Sequence, residues 1–108
     1  MARQRMIVQY ALARKLKGLV VGTENLSEYY LGYFTLHGDQ ACDINPLGNL
    51  FKTQVRKLAC YLGLPQEILK KAPSAGLWKG QTDEKELGFS YKEADPILYF
   101  YCIKNYYF

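Results

Sequence analysis

One histidine, one tryptophan, three cysteines and four prolines are spread over 108 residues, and each shortage removes a class of function. The single histidine, His37, has no aspartate or cysteine placed beside it in sequence, so it carries no catalytic role in this reading. Cys42, Cys60 and Cys102 are odd in number, far apart and without CxxC or histidine-paired spacing. That argues against a disulfide framework and a zinc site, and for reduced thiols in a cytoplasmic protein. MARQR leads into an amphipathic helical pattern rather than an apolar signal core, so no membrane association is expected. The charge excess is +4 and comes in short pairs such as Lys70 and Lys71. A nucleic-acid surface clusters its cations, so no nucleic-acid partner is expected. The chain shows no internal repeat and is long enough for one domain.

What is present is organised around GLVVGTENLSEYYLGYFTLHGD, Gly18 to Asp39. Leu19, Val20 and Val21 between glycines read as one short buried strand, of the kind covered on both faces in a parallel α/β sheet. A tight turn at Gly22 and Thr23 follows, and Asn25 with Glu28 three residues on has the spacing of a capping box that opens a helix. Strand, glycine turn and helix together are a common way of presenting free backbone N–H groups to an anion.

Upstream, Met6, Tyr10, Ala13 and Leu16 recur at helical spacing from about Ala2 to Lys17, with Gly18 as the stop. Downstream, Thr35–Asp43 reads as a polar loop and Ile44 to Gly48 as an extended segment with a turn at Pro46. A helix is expected from Phe51 to Leu62, with Phe51, Val55, Leu58, Ala59 and Leu62 on one side, stopped by Gly63 and Pro65. A helical turn follows at Gln66–Lys71. Ala72–Thr82 reads as a Pro/Gly/Ser loop long enough to act as a lid over a site and carries Trp78. Asp83–Leu87 reads as another helical turn, and Tyr91 opens a last helix that runs into ILYFYCIKNYYF. That segment is apolar or aromatic on nearly every side, as in a helix buried between subunits or a tail foreign to the fold. A lone strand cannot satisfy its own edges, so its neighbours must come from outside these residues.

The ordered blocks ARQRM, VVGTENLSE, GYFTLHGD, DINPLGNLFKTQVRKLA, APSAGL and QTDEKELGFSY resemble the C-terminal half of bacterial ammonia-dependent NAD synthetase, from Ala2 to Leu98. The resemblance implies a partial adenine-nucleotide α-hydrolase-like (Rossmann-like) α/β domain, mostly helical here with one clear strand. Residues 1–108 would form the C-terminal part of a single synthetase domain. It further implies a carbon–nitrogen ligase that works as a homodimer. ATP adenylates the nicotinate carboxylate of deamido-NAD, and ammonia then displaces AMP, with magnesium as the cofactor.

By the same resemblance, Thr23, Lys52 and Ser74 contact ATP, Glu28 holds magnesium, and Arg3 and Asp43 contact deamido-NAD. Each has a plainer role to set beside it: a local cap for Thr23, the capping box for Glu28, a turn for Ser74 and Asp43, a solvated helix residue for Arg3. Lys52 at a helix start opposes the helix dipole, which favours an external anion as its partner. Leu36 and Leu26 depart from the family, which often has basic residues there, and the family's SGGxDS phosphate loop does not occur in these residues. On that ground the isolated chain is expected to be incompetent for synthesis. A non-catalytic module that dimerises through its helices and aromatic tail is the alternative reading.

Overall fold

In the computed structural model, which describes residues 1–104, the chain forms six α-helices and a closing π-helical turn. They divide into two compact units, Met1–Phe51 and Lys52–Phe108.

In the first unit, α1 (Ala2–Leu16) half-buries Met6, Tyr10 and Ala13 and leaves its arginines in solvent. Leu16, expected on the inner face, is 75% exposed. The stop is one residue earlier than expected. Lys17, not Gly18, takes the left-handed φ of 54°, and Gly18 N–H reaches back to the Ala13 carbonyl.

The expected strand does not form. Among the described residues Leu19–Val21 makes only an isolated parallel bridge, Val21 to Ile44. Val20 O accepts from Asp43 N at 2.9 Å and Gly22 N donates to Ile44 O at 2.7 Å. A parallel ladder needs successive bonds along both segments, and Pro46 follows Ile44 too closely for the pairing to extend. Leu19 and Val21 are exposed while Val20 is buried, so only one of the two faces is covered. Gly22 is required here: a Cβ at this position would lie 2.5 Å from Cys42 Sγ.

The expected capping box is present in full. Asn25 Oδ1 accepts from Glu28 N, and Glu28 Oε2 accepts from Asn25 N, each at 3.1 Å, opening α2 (Leu26–Leu31). Such a cap contributes about 1 kcal/mol. Gly32 in the left-handed region closes the helix.

The second unit begins with α3 (Lys52–Tyr61), followed by α4 (Gln66–Lys70), α5 (Asp83–Leu87) and α6 (Tyr91–Leu98). α3 packs on both α4 and α6. Ser90 opens α6 with a second capping box, its Oγ and backbone N–H both bonded to Glu93 Oε2. Those bonds to Ser90 hold the Glu93 carboxyl below the usual range. Tyr91 and Ala94 supply the buried apolar face, while Leu58 and Leu62 of the expected α3 face remain exposed. Beyond Pro96 the hydrogen bonding loosens into a π-helical turn, Tyr99–Ile103. Its aromatic side chains are largely exposed, and the final residues of the aromatic run, 105–108, lie outside the described residues. Among the described residues no helix is long and apolar enough to cross a membrane.

Candidate functional site

Four of the six residues singled out from the sequence belong to the first unit and two to the second. In the first, Asp43 makes no local turn. Its Oδ2 accepts from Val20 N at 2.8 Å, clasping the extended segment across 23 positions. Burial, then the charges of Asp43 and Cys42, raises the Tyr10 phenol above its ordinary value. Arg3 donates from Nε to the Leu36 carbonyl at 3.0 Å, so its guanidinium is oriented rather than free in solvent. The backbone at Leu36, where the expected basic side chain is missing, thus serves as an anchor for Arg3.

Thr23 is exposed ahead of the Asn25 cap, and Glu28 is half-buried within it. Glu24, which sequence reasoning passed over, changes the electrostatics of this corner. Its carboxyl is pushed up to about 7, first by burial, then by the charges of Glu28 and Asp39. Its Oε1 is buried with no hydrogen-bond partner. Glu28, by contrast, is partnered within the capping box, and among the described residues no group of three or more His, Cys, Asp or Glu side chains is placed to hold a metal ion.

In the second unit, Lys52 and Ser74 line one cleft of about 370 Å³. α3 supplies Lys52 and Arg56, and the segment after α4 supplies Lys71 and Ser74; Val55 and Ile68 contribute apolar wall. Ser74 does hold a turn, its Oγ accepting from Gly76 N at 3.0 Å, and it remains exposed. Three cations around a partly apolar hollow suit an anion attached to a flat ring.

Lys52 is placed by groups with no motif of their own. Its ammonium lies 5.3 Å from the centroid of the Tyr91 ring. Asp95, itself buried, accepts from Thr53 N at 2.8 Å and caps α3 in place of a local residue. Trp78 is 56% exposed, so the loop before α5 is not anchored by its tryptophan. It is tied instead by Gln81, whose Oε1 accepts from Leu77 N and whose amide donates to Glu86.

A family profile described as NAD synthase matches residues 1–106. The chain belongs to the NAD synthase family. It is 60% identical over 100 residues to the NH(3)-dependent NAD(+) synthetase of Methanocaldococcus jannaschii, covering 93% of this chain and 39% of that protein. It is 52% identical to the protein of the same name from Fusobacterium nucleatum, covering 92% and 38%. Archaeal as well as bacterial relatives match, so the likeness is not confined to bacterial enzymes. Among solved structures, the NMN synthetase of Francisella tularensis superposes with a TM-score of 0.86 at 56% identity, covering 90% of this chain and 41% of that one. An NH3-dependent NAD synthetase from Campylobacter jejuni gives 0.73 at 35% identity, covering 96% and 38%. The chain therefore spans about two-fifths of the curated relatives' length. These names favour the ligase family over a non-catalytic dimerising module.

Proposed function

We propose that the chain supplies the C-terminal part of an ammonia-dependent NAD synthetase, within a Rossmann-like domain of the adenine-nucleotide α-hydrolase type. The reaction is ATP-dependent amidation of deamido-NAD. The nicotinate carboxylate attacks the α-phosphorus and pyrophosphate leaves. Ammonia then attacks the acyl carbon of the adenylate, AMP departs, and one proton is released. The observation that carries this reading is the shared cleft of Lys52 and Ser74, a cationic mouth on a partly apolar hollow. In it Lys52 offsets charge that builds on the leaving pyrophosphate and Ser74 offers a hydroxyl to a phosphate oxygen. In the other unit, Thr23 is assigned to ATP, Arg3 and Asp43 to deamido-NAD, and Glu28 to magnesium. When bound, magnesium would screen phosphate charge and stabilise the departing oxyanion.

The test is an ATP titration of the chain followed by NMR. The chain alone is expected to bind in the high-micromolar range or weaker, and Lys52→Met should weaken binding about tenfold or more. A charge-assisted hydrogen bond is worth roughly 1.5–3 kcal/mol. Low-micromolar affinity, or an unchanged constant in Lys52→Met, would contradict the assignment.

A second substrate reading has its own support. Leu36 removes one expected basic contact to deamido-NAD, and the F. tularensis neighbour is titled an NMN synthetase. Nicotinate mononucleotide, the smaller acid, is the substrate in that case, and comparing kcat/KM for the two acids decides between them.

A homodimer is proposed along with the activity. α1 exposes Ile7, Val8 and Leu12, apolar side chains that a second subunit would cover. Light scattering that returned only monomer at tens of micromolar would refute it.

A further inference from the structure

We infer that Tyr91 is the positioning residue of the cleft: its ring fixes the Lys52 ammonium, and its hydroxyl ties that ring to the loop bearing Ser74. This rests on the assignment of Lys52 and Ser74 to ATP. Tyr91 is 2% exposed, the most buried aromatic residue among those described. Its backbone N–H donates to Glu84 Oε1 at 3.1 Å, and the Ser90 capping box sets the start of its helix. These fix the backbone at Tyr91, while burial and the phenol's own hydrogen bond restrict the ring. One ring face meets Lys52 Nζ at 5.3 Å from its centroid. The phenol reaches Asp83 Oδ2 at 3.2 Å, and Asp83 N in turn donates to Pro73 O at 2.9 Å, next to Ser74.

A lysine at the first position of a helix carries four rotatable bonds and faces an unfavourable dipole. Holding its ammonium over an electron-rich ring restricts the rotamers in advance, so less freedom is lost when a phosphate arrives. The attraction depends on the ring's electrons, not only on its shape. That separates positioning from packing.

The experiment compares Tyr91→Phe with a fluorinated phenylalanine in place of Tyr91, both in the full chain. Shape is nearly the same, but fluorination withdraws electron density from the ring face. Each protein is titrated with magnesium-ATP, and the ε-methylene protons of Lys52 are followed by NMR before nucleotide is added. Tyr91→Phe should keep the ring-induced upfield shift of those protons but, having lost the tie through Asp83, bind ATP about threefold more weakly than the parent. The fluorinated ring should bind roughly threefold to tenfold more weakly than Tyr91→Phe, and that difference should vanish in a Lys52→Met background. Equal affinities of the two ring variants, with Lys52→Met still weakened, would overturn positioning and leave the ATP assignment standing. No effect of Lys52→Met would remove the assignment, and positioning with it. Should either variant fold poorly, absence of the upfield shift in the parent chain overturns the inference without any substitution.

Discussion

Glu28→Gln should abolish most magnesium-dependent synthesis while leaving the helix it caps intact. In the chain joined to the upstream portion of a relative, the rate at limiting magnesium should fall on the order of a hundredfold, as expected when an ionised oxygen ligand is lost. The cap should persist, because glutamine serves at the same position of a capping box and Asn25 still accepts from residue 28. An unchanged rate at limiting magnesium would leave Glu28 with its structural role alone. The same substitution has a second readout in Glu24. The folded-state pKa of Glu24 is raised, to about 7 from 4.5. Its favourable contribution is thus complete below the unfolded value and lost as pH rises through about 7. Removing the Glu28 charge takes away one cause of that rise. Stability should therefore decline less between pH 5 and 8 in Glu28→Gln than in the parent, as read from thermal midpoints across that range. An unchanged decline would mean that the two carboxylates do not sense one another.

Tyr91→Ala should be the most damaging single substitution in the second unit. Tyr91 and Ala94 are its buried apolar residues among those described, and the phenol also partners buried Asp83. Truncating a buried aromatic residue costs about 3–5 kcal/mol, and loss of the phenol's hydrogen bond to buried Asp83 adds to it. Against a total of roughly 5–15 kcal/mol for a domain, that removes much of the margin. The thermal midpoint by circular dichroism should drop by more than about 10 °C, or the cooperative transition should disappear. A shift under about 5 °C would show that the unit repacks around the gap.

Local chemistry was legible in the residues themselves. Asn25 with Glu28 made its capping box, Gly63 took the left-handed position that ends a helix, and Asp83–Leu87 formed the helical turn expected of it. These outcomes involve groups only a few positions apart, so short-range sterics and hydrogen bonding decide them. The Ser90 capping box could have been read the same way, from a serine followed three residues later by Glu93.

Residues far apart in sequence were another matter. Leu19–Val21 has the composition of a buried strand, yet pairing depends on a partner, and Ile44 offers a single bridge before Pro46 interrupts. Asp43 carried a turn signature and instead clasps Val20. Arg3 and Leu36 meet across 33 positions. Nothing near Glu24 in sequence announces that Asp39 shares its field, and neither Tyr91 nor Asp95 carries a motif that points to Lys52 or to α3. By itself, the order of residues determined the locally capped helix starts and, through its ordered blocks, the family. Only the tertiary structure decided which carboxylate is desolvated, which ring lies against the lysine and whether a strand exists, because each of these is a property of pairs brought together by folding.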